Sequence, residues 1–123
     1  MREILFRGKG NPKYNDGSWY DGYLKYDGED YQILDAEYGS CARTVLPETV
    51  GQFTGLTDKN GRKIFEGDIL KANNGHIGYV AFSEGGFVKA CRCHFNFTNL
   101  YGDNQEVIDN IHDNPELIGG EEN

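Results

Sequence analysis

Short runs of β-prone residues, separated by glycine-containing turn pairs, make up the hydrophobic pattern of this chain. Asp16-Gly17, Asp27-Gly28, Asn60-Gly61, Asn74-Gly75 and Gly85-Gly86 punctuate it. Such pairs supply the positive φ that tight hairpin turns need. The runs between them are rich in Tyr, Phe, Val and Ile, and no segment carries a sustained apolar stripe of helical period. The pattern predicts strands over 4–7, 19–26, 31–35, 50–54, 68–72, 76–82, 87–97 and 107–111, the stretch 87–97 being the longest. Hairpin turns are expected at Asp27-Gly28 and at Asn73-Asn74-Gly75. One turn of helix is expected over 47–51, opened by Pro47. Asn114-Pro115 ends the last strand, because proline cannot continue a ladder. The polar tail 119–123 is expected to fray.

The fold class this implies is mainly β, with antiparallel strands and little helix. A bend at Glu66-Gly67-Asp68 is followed by a strand, then a strand containing Gly78-Tyr79-Val80, a glycine turn, and Phe87-Val88. That order is similar to the start of small SH3-like barrels. The chain therefore reads as one domain, with an N-terminal β-hairpin region over 1–46, a barrel-like region over 47–118, and the tail.

Length and charge narrow the function. A chain of 123 residues is one domain's worth and needs no metal or disulfide to fold. The formal net charge of -8 argues against a scaffold that grips nucleic-acid phosphates, which requires clustered Lys and Arg. It argues equally against adhesion to anionic membranes. The three cysteines, Cys41, Cys91 and Cys93, are too few and too unevenly spaced for a disulfide framework. The first nine residues do not read as a signal peptide, and no apolar run approaches the length of a membrane span. The expected location is the reducing cytoplasm of a bacterial cell.

The run Gln52-Phe53-Thr54-Gly55-Leu56-Thr57-Asp58-Lys59-Asn60-Gly61-Arg62-Lys63-Ile64-Phe65-Glu66-Gly67-Asp68-Ile69 closely resembles the central motif of the YopX family of phage and prophage proteins. The opening Arg2-Glu3-Ile4-Leu5-Phe6-Arg7 is similar to that family's first strand. The stretch Glu106-Val107-Ile108-Asp109-Asn110-Ile111-His112-Asp113-Asn114-Pro115-Glu116-Leu117 is similar to its closing motif. Asp109 departs from the pattern, which has glycine there. The three blocks cover about a third of the chain and run from end to end. The resemblance implies a β-rich fold with a barrel and an origin in phage or integrated prophage. It implies no reaction.

Read from its residues alone, the central motif is turn, strand, bend and strand. Asp58 and Asn60-Gly61 form a turn in which Asx side chains bond nearby backbone. Ile64, Phe65, Ile69 and Leu70 are core candidates. Thr54, Gly55, Asp58, Asn60, Gly61, Glu66, Gly67 and Asp68 are thus expected to serve geometry. A calcium loop starting at Asp58 fails, because its twelfth position is Ile69 rather than Glu.

Other chemistry is thin. Cys91-Arg92-Cys93-His94 has zinc-ligand residue types, but Cys-x-Cys is not the spacing of a zinc knuckle. If 87–97 is one strand, Cys91 and Cys93 share a face with Phe87, Phe95 and Phe97, and His94 lies opposite. They then read as reduced, buried, metal-free thiols. No nucleophile elbow or phosphate loop occurs. Neither a catalytic residue nor a cofactor is expected, and the chain does not read as an enzyme. Trp19, Tyr20, Tyr23, Tyr26 and Tyr31 make an aromatic hairpin. Residues 19–38 hold six acids and one lysine, which disfavours a phosphate backbone there. Cross-strand packing or a protein-binding face are its two readings. The expected function is a non-enzymatic protein-interaction module for a host or phage component. Self-association through exposed strand edges is a further expectation. The rival is a nucleic-acid-binding small barrel carrying Lys59, Arg62, Lys63 and Lys71 as a basic patch.

Overall fold

Glycine turns delimit the strands as expected. Gly17, Gly28, Gly61, Gly75 and Gly85 all adopt positive φ, between 77 and 96°. The computed structural model describes residues 4–35, 41–83, 85–91, 96–99 and 104–118. In chain order the strands are β1 (Phe6–Lys9), β2 (Trp19–Tyr26), β3 (Tyr31–Asp35), β4 (Ala42–Val45), β5 (Gly51–Thr57), β6 (Lys63–Phe65), β7 (Asp68–Ala72), β8 (Ile77–Ser83), β9 (Gly86–Cys91), β10 (Asn96–Asn99) and β11 (Gln105–Asn110). Helix among the described residues is confined to short 3-10 turns, including Pro47–Thr49 and Pro115–Ile118. The protein is mainly β, built from antiparallel sheets.

The chain divides into two compact units, Met1–Phe53 and Thr54–Asn123. In the first, β4, β3, β2 and β1 pair in that order, and the start of β5 pairs with β1. The sheet then curls on itself. Gly10, just past β1, bridges Val45 of β4, and the Leu46 N–H donates to the Lys9 carbonyl at 2.8 Å. Curling this tightly needs a bare position on the inner face. A Cβ at Gly8 would lie 2.9 Å from the Val45 side chain, so only glycine lets the buried Val45 seat there. Ile33 and Leu5 complete the buried aliphatic set of this unit.

In the second unit, β6 follows the end of β5, and a five-stranded sheet has the order β10-β9-β8-β7-β11. Ile64, Leu70, Val80 and Val107 form its core, with Phe87 packed against them. Each such aliphatic burial contributes about 1.5–3 kcal/mol. Ile64, Phe65, Ile69 and Leu70, the candidates from the central motif, are all buried. Lys89 is buried as well. Its stem passes over Gly78, where a Cβ would sit 2.5 Å from the Ala90 carbonyl oxygen, and its Nζ donates to the His76 carbonyl at 2.9 Å and to Gln105 Oε1 at 2.8 Å. One cation thereby ties the β7–β8 turn to the start of β11.

Two expectations are corrected here. No pairing among the described residues closes the five-stranded sheet into a barrel. The stretch 87–97 is two strands, not one: β9 and β10 pair antiparallel, with Cys91 opposite Asn96 and Ala90 opposite Phe97, so the chain reverses between them. Arg92-Cys93-His94-Phe95 contains no Gly, Pro, Asn or Asp, so nothing in the pattern marks the reversal. The side chains of Cys91, Cys93 and His94 lie outside the described residues. So does the tail 119–123.

Candidate functional site

The aromatic hairpin forms as expected, but its five rings do not make one patch. Register sets this. Tyr26 pairs with Tyr31, Leu24 with Ile33 and Gly22 with Asp35, and paired residues share a face. Alternation then puts Tyr20, Tyr26 and Tyr31 on the inner face of the curled sheet, and Trp19 and Tyr23 on the other. Tyr26 and Tyr31 reach beyond the buried part of that face. Their rings sit 4.8 Å apart, and they are 57 and 37% exposed; Tyr23 is 46% exposed. The turn beneath them is fixed by Asp27, whose Oδ1 accepts the Glu29 and Asp30 N–H groups at 2.9 and 2.7 Å. Those bonds hold the Asp27 carboxyl below its ordinary range.

At the other end of the hairpin is a cleft of 280 Å³. Tyr20, Ile33, Asp35, Cys41 and Arg43 line it, with Trp19 and Asp21 on the β2 side. Its parts are held in place. The Tyr20 hydroxyl donates to Asp16 Oδ1 at 2.8 Å, a bond that raises the Tyr20 phenol and lowers the Asp16 carboxyl from their ordinary values. The Arg43 guanidinium lies 5.5 Å above the Tyr20 ring, and the Arg7 guanidinium 4.8 Å from the Trp19 ring centre. Trp19 and Tyr20 were legible as candidates. Asp35, Cys41 and Arg43 were not, because Ala42–Val45 reads Ala-Arg-Thr-Val, without the aliphatic alternation that would announce a strand.

The central motif is occupied by its own backbone. Asp58 is 5% exposed. Its Oδ1 accepts the Asn60 and Arg62 N–H groups at 2.8 and 2.9 Å, and its Oδ2 accepts the Val107 N–H of β11 at 2.9 Å. Burial acts to raise its carboxyl, but these donors and the Arg62 charge outweigh it and hold the group low. Asp68 Oδ2 accepts the Phe65 N–H at 2.8 Å across the Glu66-Gly67 bend, where Gly67 has φ 94°. Thr54 Oγ1 donates to the Ile64 carbonyl at 2.8 Å and accepts the Leu56 N–H at 3.1 Å. Gly55, within β5, and Gly61, in the Asp58 turn, also take positive φ, and both are exposed, as is Asn60. Asp109, where the family pattern has glycine, sits at a bulge opposite Ile69. Its carboxylate accepts from the Asn110 N–H and the Asn114 side chain.

The basic patch of the rival reading is diluted. Lys71 stands directly opposite Glu106 in the sheet, and Lys59 Nζ donates to Asn73 Oδ1. Among the described residues, no group of three His, Cys, Asp or Glu side chains is placed to hold a metal ion, and no helix is long and apolar enough to cross a membrane.

Comparison with known proteins agrees with the motif. No curated protein matches the chain. Solved structures do, among them the crystal structure of protein EF1440 from Enterococcus faecalis, which is similar over 96% of this chain and 99% of its own. The TM-score is 0.53 and the identity 23%, a likeness of fold. The profile of the family described as YopX protein matches residues 6–119, so the chain belongs to the YopX family.

Proposed function

We propose that this protein is a non-enzymatic protein-interaction module of phage or prophage origin, acting in the bacterial cytoplasm on a host or phage protein. The observation that carries the reading is the tip of the β2–β3 hairpin. Tyr26 and Tyr31 stand exposed there, side by side on a turn locked by Asp27, and Tyr23 is exposed on the opposite face of the same hairpin. Tyrosine offers large contact area for little lost rotamer freedom, and it is enriched in protein interfaces. A turn already fixed has little further ordering to lose on binding. On this reading the five-stranded sheet is a scaffold of SH3-like kind, opened between β10 and β11. Its β7-to-β10 meander with β11 returning beside β7 supports that comparison. A second copy of the chain is among the partners such a surface fits.

The test is capture from phage-infected cells with the intact chain and with a Tyr23→Ala, Tyr26→Ala double variant. A protein retained by the first and lost by the second is expected. Recovery of nucleic acid with no protein enriched would sink the reading. Light scattering of the pure chain decides whether that partner is a second copy.

A further inference from the structure

We propose that Tyr26 and Tyr31, at the hairpin tip, receive an arginine side chain presented by the partner protein, with Glu29 and Asp30 supplying the matching negative charge; this rests on the interaction reading and names the chemistry the partner brings. The rings come first. Tyr26 and Tyr31 form the last pair of the β2–β3 ladder, with centroids 4.8 Å apart and planes tilted by 37°, so they offer one aromatic surface to solvent. The face of a tyrosine ring is negative and attracts a cation, and the planar guanidinium of arginine stacks on it. Elsewhere in this unit the chain supplies that cation itself. Arg7 lies 4.8 Å from the Trp19 ring centre, and Arg43 and Lys13 lie 5.5 Å from those of Tyr20 and Tyr14. Among the described residues, none stands over Tyr26 or Tyr31. Charge comes second. The turn that joins the two tyrosines is Asp27-Gly28-Glu29-Asp30. Asp27 is committed to holding it, through the Glu29 and Asp30 N–H groups. Lys25 alternates onto the face away from both rings, across from Gln32, and its charge acts on Asp27. The carboxylates of Glu29 and Asp30 have neither hydrogen bond nor ion pair among the described residues. Three carboxylates against one lysine leave the segment 25–31 at -2, on a chain at -8, so a basic partner is drawn toward this tip.

The full-length protein is titrated into a fluorescently labelled peptide of alternating arginine and glycine, and binding is followed by anisotropy. Two control peptides replace arginine by citrulline, which keeps the planar head and loses the charge, and by glutamate. The arginine peptide is expected to bind saturably, and the controls not to bind in the same range. Tyr26→Leu keeps apolar bulk but removes a ring face, and should weaken binding about two- to fivefold, the range for one solvent-exposed contact between a cation and an aromatic ring. Tyr26→Phe, which keeps the ring, should hold the affinity. The Glu29→Gln, Asp30→Asn double variant should weaken binding by a similar factor, and high salt should remove that difference. Circular dichroism and the urea midpoint check that each variant is folded.

Unchanged affinity in a folded Tyr26→Leu, Tyr31→Leu double variant overturns the inference, because apolar area alone would then account for the contact. So does unchanged affinity in the folded Glu29→Gln, Asp30→Asn variant. Equal binding of the citrulline peptide, or preference for the glutamate peptide, overturns it as well. No response to any peptide up to millimolar concentration has the same consequence. If tyrosine-dependent protein capture persists in any of these cases, the interaction reading stands with a partner of other chemistry.

Discussion

Asp27 and Asp58 head the same kind of turn. Each accepts backbone N–H groups two and three or four residues ahead through one carboxylate oxygen, and each is held below its ordinary carboxylate range. They differ in the second oxygen. That of Asp58 reaches the Val107 N–H, 49 residues away, from a buried position. The hydrogen bonds recorded for the Asp27 carboxylate are local, and the residue is exposed. A local turn thus becomes a cross-link when its carboxylate is buried and shared with a distant strand. The Asp58 turn holds a unit together, whereas the Asp27 turn holds tyrosines out to solvent.

The largest break in that comparison should come from Asp58→Ala. It strands three backbone donors, one of them the buried Val107 N–H. Hydrogen bonds to a charged group contribute roughly 1.5–3 kcal/mol each, not additively, so a loss of about 3 kcal/mol or more is expected. Asp27→Ala should leave the urea midpoint nearly where it is. Equal midpoints for the two variants would show that the long-range bond does not distinguish the turns.

The contrast was half legible in the sequence. Asp58-Lys59-Asn60-Gly61 and Asp27-Gly28 are readable as turns because Asx and glycine act on their nearest neighbours. Burial of Ile64, Phe65, Ile69 and Leu70 was readable too, since they are apolar residues on either side of a bend. What could not be read was the bond from Asp58 to Val107, because a side chain's distant partner has no local signature. The break between β9 and β10 was missed for the opposite reason: its residues look like continuous strand, and only pairing of Ala90 with Phe97 reveals the reversal. The cleft was hidden likewise. It needs β4 beside β3, and β4 carries no pattern of its own.

Thr54→Val sharpens the comparison one step down. The hydroxyl is buried and bridges β5 to β6 by donating to the Ile64 carbonyl. Valine keeps the shape and removes the bond, leaving a buried carbonyl without this donor, so about 1–2 kcal/mol should be lost by urea unfolding. A change under about 0.5 kcal/mol, the size of a surface substitution, would show that the motif's polar residues are not what fastens β5 to β6.

Acid should separate the two aspartates next. A carboxyl whose folded pKa lies below its unfolded value, here 3.8, contributes stability that is fully present above that value. The contribution is lost as pH falls through the folded pKa. Stability should therefore decline below about pH 4, and the decline should be shallower in Asp58→Asn. Asp16 and Asp27 are also held low and add to the slope, but they are exposed and salt screens them. At high salt the part that depends on Asp58 should persist. Identical acid profiles for the protein and Asp58→Asn would remove the buried carboxylate from the account.

The smallest effect on folding should come from the display side of the comparison. Tyr26 is 57% exposed and packs against Tyr31 at the hairpin tip. Tyr26→Ala removes that ring pair but leaves the Asp27 turn, the β2–β3 ladder and the buried Ile33 intact. An exposed aromatic pair contributes roughly 0.5–1.5 kcal/mol when measured by coupling, and solvent exposure puts this one at the low end. The urea midpoint should fall only slightly. Capture of the partner should fall much more, because a rigid aromatic anchor contributes disproportionately to an interface. The measurement is the ratio of the two effects, taken on the same preparations. A midpoint shift as large as that of Thr54→Val, with partner retention unchanged, would make Tyr26 a structural residue like those of the central motif. The two turns would then differ in burial but not in purpose.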